Sequence, residues 1–426
     1  MSVERGSGPG PSATEEAPST TARALGSALA GLAWPRRVAA RLADRLAAGR
    51  GDRRLSPALQ GGGAHGAFTW GVLDRLVEDE RLAIDALSGA SAGAMNAVVL
   101  AAGWLDGGRD GARAALAAFW RRIADVAALS PLNPTLIDRL CGPFTADVSS
   151  AGQMALGVIS RLFSPYQFNP LQLNPLRTIL SESIDFERLR RETGAGPELL
   201  IAATGLRDGR CRVFRRREVS VEVVLASACL PNLHHAVEID GEPYWDGGFS
   251  SNPPLLALAE RDGGALDILL VQINPAGTDE LPVTASGIGA RLNELVFNGP
   301  LRAELDALAL AARLARGGFR IGGGAPGRRL ARLRLHRIDG AETLRPLGEA
   351  SKAHPDWRTL TYLRDRGREA AERWLAGHFE ALGRRPTFDP APARPIAAAP
   401  APAGGARLEG AAGPTADGTG ASADAA

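Results

Sequence analysis

The sequence is poor in the residues on which several protein classes depend. Three of its 426 residues are cysteine, Cys141, Cys211 and Cys229, widely spaced and with no CxxC pair. That excludes a disulfide framework and a cysteine-based zinc site, so they read as buried or incidental thiols. No apolar run reaches the roughly 18 to 20 residues that a membrane-spanning helix requires, which argues against an integral membrane protein. Neither sign of charge is in excess: 49 basic and 47 acidic side chains leave a net charge of +2, too balanced for a nucleic-acid coat protein. Lysine is almost missing, Lys352 being the only one, and this reads as compositional bias. With no HExxH, EF-hand loop or cysteine cluster, no metal is indicated.

The 45% hydrophobic content is enough for a sizeable core, and its distribution sets the domain limits. Residues 1 to about 20 are low-complexity and hydrophilic, expected to be disordered. No apolar core of signal-peptide length opens the chain, so the expected location is cytoplasmic. From Thr20 to Arg54 eight arginines face Asp44 and Asp52, while Leu25, Leu29, Leu32, Val38, Leu42 and Leu46 recur at helical spacing, broken at Pro35. This basic amphipathic segment reads either as a short capping helix or as a surface helix for anionic lipid, with Trp34 at the interface. The Ala/Pro/Gly-rich end, 386–426, reads as a disordered tail. A leader over 1–54, a globular unit over 55–385 and a tail over 386–426 follow.

Within that unit short apolar runs alternate with helical patterns. Candidate strands are Leu55–Gln60, Ile84–Ser88, Glu198–Thr204, Arg210–Phe214, Ile268–Ile273 and Arg332–Arg337. Candidate helices include Ala67–Val77, Ala92–Ala102, Gly111–Ala124, Val219–Ala228, Gly289–Leu314 and Arg358–Leu382. Strand then helix, repeated, predicts an α/β fold: a mostly parallel sheet with helices on both faces. Ligands in such folds lie at the carboxyl ends of strands, so the strand-to-helix turns are where chemistry is sought.

Two of these turns stand out. Gly61-Gly62-Gly63-Ala64-His65-Gly66 follows a strand and opens a helix with Phe68, Val72, Leu73 and Leu76 on its inward face. It fits G-x-G-x-x-G, with Asp85 about 20 residues on, as a dinucleotide site would. Asp85, however, opens the second strand, whereas a ribose-binding acid belongs at the far end. Alternatively its amides form an oxyanion hole. Gly89-Ala90-Ser91-Ala92-Gly93 is a G-x-S-x-G turn leading into a helix; small neighbours let the serine stand on a strained backbone at a helix N-terminus. A serine needs a base, and two are available: Asp246 in Tyr244-Trp245-Asp246-Gly247-Gly248, or a histidine such as His336 downstream.

In this order, the glycine loop, the Ser91 elbow, the Ala226-Ser227-Ala228-Cys229-Leu230-Pro231 stretch and the Asp246-Gly247-Gly248 turn resemble the patatin-like phospholipase family over about 55 to 275. The resemblance implies a three-layer sandwich and a Ser-Asp dyad without a catalytic histidine. Ser91 would be the nucleophile and Asp246 the base, with the amides of Gly61, Gly62, Gly63 and Ala92 on the oxyanion. His65, Gly66, Gly89, Gly93, Gly247 and Gly248 would support these motifs. It also implies calcium-independent hydrolysis with no cofactor. One departure is His65, where the family's loop usually has Arg or Lys.

An exposed aspartate is a feeble base, so a dyad requires Asp246 to be desolvated. His234 and His235 read as loop or pocket-wall residues and His336 as a surface or edge histidine. Residues 127–176 are apolar and proline-rich and suit a lid that offers surface to an acyl chain. The helical part over 276–385 includes Arg313 to Arg337, eight arginines and no acids, which reads as a solvated loop or a face for anionic headgroups. It contains Gly322–Gly327, a second G-x-G-x-x-G match without a preceding strand. The expectation is a serine hydrolase of fatty-acyl esters of phospholipids or related lipids, touching membranes peripherally at most, through 20–54 and 313–337. A depolymerase or esterase for another lipophilic ester, a silent lipid-binding module and a nucleotide-dependent oxidoreductase are the alternatives.

Overall fold

The computed structural model describes residues 53–128, 164–278, 281–316, 329–353 and 355–390. Nearly all of the basic segment, most of the proline-rich insertion, the Gly322–Gly327 motif and the tail beyond Pro390 lie outside the described residues.

The strands are β1 (Arg53–Leu59), β2 (Leu82–Ile84), β3 (Ala86–Gly89), β4 (Glu198–Gly205), β5 (Cys211–Arg215), β6 (Val237–Ile239), β7 (Glu242–Asp246), β8 (Asp267–Gln272) and β9 (Arg334–Asp339). The main helices are α1 (Gly66–Glu78), α2 (Ala92–Ala128), α3 (Pro175–Ser183), α4 (Phe186–Arg191), α5 (Val221–Ser227), α6 (Leu255–Glu260), α7 (Ala285–Arg316) and α8 (Trp357–His378). They build one sheet of order β6-β7-β4-β3-β1-β8-β9, with β2 pairing β1 and β5 pairing β4. β4, β3, β1, β8 and β9 run parallel, whereas β5, β6 and β7 add antiparallel pairings.

Alternation along the strands feeds two cores. Leu55, Leu59, Leu199, Ile201, Leu269 and Val271 join the larger one, with residues of α1, α2 and α8. Ala58, Leu200, Ile268 and Leu270 point into the smaller one, with residues of α6 and α7. Side chains of successive strand residues leave on opposite faces, so helix layers cover both sides of the sheet. The expected mostly parallel α/β sandwich is the observed fold.

Several local expectations are corrected. The single strand over 84–88 is two strands separated by Asp85, whose carboxylate pairs with Arg54 and Arg261 and accepts from the Ala265 amide at 2.8 Å. The two helices expected over 92–102 and 111–124 are both present within α2, which breaks between them at Gly107 and Gly108, neither of them helical. The described arginines of the 313–337 run are partly committed inward. Arg329 donates to the carbonyls of Ala259, Gly264 and Ala265, and Arg334 pairs with Asp267 at 2.6 Å, which withdraws both from any headgroup face. No helix among the described residues is long and apolar enough to cross a membrane.

Candidate active site

β3 ends at Gly89 and passes Ala90 and Ser91 into α2. Ser91 has φ 53°, in the left-handed region that side-chain-bearing residues rarely occupy. That strain is sustained because the turn is clamped: the Ser91 N–H donates to both the carbonyl and the hydroxyl of Ser227, at 3.0 and 3.1 Å. A Cβ on Gly89 would lie 2.5 Å from Gly93, and one on Gly93 would collide with the Leu59 carbonyl, so the flanking positions of the elbow admit only glycine.

Strand register brings Asp246 to this turn from 155 residues away. Ile201 of β4 pairs with Gly89 on one edge and Phe214 on the other. Two residues on, Ala203 pairs with Asp246 and with Arg212. Since β5 holds the second edge throughout, β7 continues the edge that β3 vacates, and Asp246 follows where the Ser91 turn begins. The Thr204 hydroxyl fixes the Asp246 carbonyl at 2.7 Å, and the Asp246 N–H donates to Cys229 O at 2.9 Å.

The Asp246 side chain is fully buried. Its Oδ1 accepts from the Gly248 amide at 2.7 Å, while Oδ2 has no partner in ordinary hydrogen-bond geometry. The Ser91 hydroxyl is nevertheless near enough to stabilise the charge. Burial dominates, pushing the carboxyl up to about 7 against the opposing pull of the Gly248 amide and Ser91. The desolvation that the sequence argument required is therefore present.

The glycine loop lies against Ser91: a Cβ on Gly61 would stand 2.7 Å from that of Ser91. Side chains brace it on both sides. Asn252 Oδ1 accepts from the Gly61 N–H, and Asn274 Nδ2 donates to the Gly61 carbonyl, each at 2.7 Å. Gly61 is thereby removed from the expected oxyanion donors, because its amide is already engaged. The amides of Gly62, Gly63 and Ala92 make no hydrogen bond to another described residue, and Ala92 opens α2, where the first N–H groups lack helical partners. Gly66 packs on Ala92, Gly247 on the Ala202 carbonyl and Gly248 on Phe297.

His65 is buried, and its Nε2 lies 2.6 Å from the Ser351 hydroxyl. Ser351 spends its proton on the Gly348 carbonyl at 2.8 Å, so Nε2–H is the donor and Nδ1, which has no partner, carries the lone pair. Burial and then the Lys352 charge push this imidazole down to about 3. It is neutral at physiological pH and supplies no fixed cation to the loop.

The remaining histidines divide as follows. His234 and His235 line a cavity of about 330 Å³ with Cys229 and Asn174, in keeping with a wall role. His336 lies on edge strand β9 but is fully buried, correcting the surface reading: Nε2 meets Asp267 at 3.0 Å, Nδ1 meets Thr387 at 2.8 Å, and the ring abuts Trp374. It shares no partner with Ser91 or Asp246. The dinucleotide reading fails on Asp85, which is locked in ion pairs at the amino ends of the strands. Among the described residues no group of three or more potential metal ligands gathers. Cys229 is buried and its thiol pushed up to about 12, chiefly by burial, which leaves it unreactive.

Sequence reasoning missed the bracing residues. Gln60 Oε1 accepts from the amides of Ile273 and Asn274 at 2.9 and 2.8 Å, and Asn252, Asn274, Ser227 and Ser351 hold the loops. A faint signal existed for Asn252, placed just after the Asp246 turn and before two prolines. Ser227 stood in the Ala226–Pro231 stretch that carries the resemblance, though without a role; Gln60, Asn274 and Ser351 carry no signal.

Residues 58–259 match the model of the patatin-like phospholipase family, so the resemblance read from the motifs is borne out over that stretch and supports a lipid acyl hydrolase. No curated protein matches. Among solved structures the chain is similar to VipD from Legionella pneumophila, at 17% identity and a TM-score of 0.33, over 77% of this chain and 67% of VipD. A likeness that slight bears on neither substrate nor mechanism.

Proposed function

We propose, from the premise of that family match, that the protein is a serine lipid acyl hydrolase working through Ser91 and Asp246. One observation carries the reading: a fully buried aspartate with an unpartnered Oδ2 beside a serine held at positive φ. Burial raises the basicity of that carboxylate toward neutrality, where a general acid–base group works best.

In the reading, a fatty-acyl ester enters with its carbonyl oxygen toward the amides of Gly62, Gly63 and Ala92. Ser91 Oγ attacks the carbonyl carbon while its proton passes to Asp246 Oδ2. The tetrahedral oxyanion is stabilised by those amides and by the N-terminus of α2. Collapse breaks the ester bond, the leaving alcohol takes the proton from Asp246, and an acyl-serine remains. Water then attacks it, giving its proton to Asp246 and releasing the fatty acid, and the serine recovers its proton. His65, being neutral and turned to Ser351, takes no proton in this cycle. Neither does His336.

The test is covalent labelling by a fluorophosphonate probe together with product profiling on mixed lipid extracts. Wild type is expected to label at Ser91 and to release fatty acid. Ser91→Ala and Asp246→Asn should each lower turnover by roughly 10³-fold or more. Absence of label, or a label on another residue, would overturn the proposal; release of a non-fatty acid would redirect it to another lipophilic ester, since the dyad fixes chemistry and not the leaving group.

A further inference from the structure

A loop of three glycines gives up more conformational freedom on ordering than any other sequence, yet an oxyanion donor must be held to within about 0.5 Å to be useful. The order must be imposed from outside the loop. Part of it comes from a short 3₁₀ segment, Glu349–Ala353, well beyond the family-matched stretch.

Lys352 Nζ donates to Asn274 Oδ1 at 2.7 Å and pairs with Glu349. Asn274 in turn donates through Nδ2 to the Gly61 carbonyl. An ammonium has donors only, so it selects the oxygen side of the Asn274 amide and forces the NH₂ toward Gly61. The reverse amide orientation would present an oxygen to a carbonyl. With Glu349 partly offsetting its charge, Lys352 acts on Asn274 through this directional bond. The same segment touches the loop twice more. The Lys352 carbonyl lies 2.5 Å from where a Cβ on Gly63 would stand, and Ser351 accepts from His65 Nε2.

We propose that Lys352 is a positioning residue for the acyl transfer: it orients Asn274, and through it the Gly61–Gly63 loop over Ser91, with Ser351–His65 as a second tie. This rests on the hydrolase reading above. The only lysine of the chain thus has a specific post, which the compositional argument overlooked.

The experiment compares Lys352→Met, which keeps the stem and loses the donors, with Asn274→Ala and the double variant, on a soluble short-chain ester. Lys352→Met should lower kcat roughly 10- to 100-fold, below the loss for a direct oxyanion donor, with KM within about twofold. The double variant should lose no more than the worse single one, since both break one chain of contacts. By NMR, the His65 imidazole should titrate higher once the Lys352 charge is gone. Unchanged kcat, or full additivity of the two losses, would overturn the proposal. A wild type that cleaves no ester would sink the hydrolase reading alone. The bracing would then be read from hydrogen exchange of the Gly62 and Gly63 amides, which must quicken in Lys352→Met, and unchanged exchange overturns it.

Discussion

Two buried aspartates on one sheet are treated in opposite ways. Asp267, at the start of β8, receives Arg334 in two contacts, His336 Nε2 and the Gly383 amide. Burial alone would raise its carboxyl, but His336, Arg334 and the Gly383 amide together hold it below the ordinary value. Asp246, at the end of β7, receives one backbone amide and only a loose approach of the Ser91 hydroxyl, and burial pushes its carboxyl up. Full satisfaction of a buried charge is what a structural role requires. The deficit at Asp246 costs stability and supplies basicity. It also falls at the carboxyl ends of the parallel strands, where α/β folds place their ligands.

The contrast can be broken by measurement, and the largest effect should be on rate. If the bare carboxylate is the base, kcat/KM must rise with pH through about 7 and fall roughly tenfold per pH unit below it, so that turnover at pH 5 is about a hundredth of the plateau. A flat profile between pH 5 and 8 would remove Asp246 from the base role. Next comes Asp267→Ala, which leaves Arg334 and His336 facing an empty site. Chemical denaturation should show a loss of about 3 to 5 kcal/mol, and a loss below 1 kcal/mol would show that the cluster is ornamental.

A smaller effect has the opposite sign. Asp246 binds its proton more tightly folded than unfolded, so its contribution to stability is complete below about pH 4 and is lost as pH rises through about 7. Asp246→Asn should therefore gain roughly 1 to 3 kcal/mol at pH 8 and little at pH 4. For Asp267 the window is reversed: its contribution is present above the ordinary carboxylate range and lost in acid. Smallest of all, His336→Asn should leave kcat/KM within about twofold while lowering the melting temperature; a loss of activity without a loss of stability would reinstate a histidine triad.

What could be read in the sequence was what is local. Glycine placement and alternating apolar runs encode the two turns and the strands leading to them, because backbone conformation and face selection are set within a few residues. The sheet order was not local, and neither was the fate of polar residues decided by it. His336 looked superficial because Arg334 and Arg337 flank it; its roof, Trp374 and Thr387, arrives 38 and 51 residues later. Asp85 split a strand because two distant arginines, Arg54 and Arg261, converge on it. Asn252, Asn274 and Lys352 are ordinary polar residues in sequence, and acquire their posts only when three separated segments meet at one loop.

The sharing of one β4 edge by β3 and β7 has a consequence for how competence arises. β3 pairs with the first half of β4, whereas the aspartate reaches the same edge on an antiparallel hairpin some forty residues beyond β4. A molecule in which only that hairpin were unzipped would keep Ser91 on its turn, held by Ser227, but would have no aspartate beside it. On the reading proposed above, turnover would thus report that the β4–β7 pairing has formed.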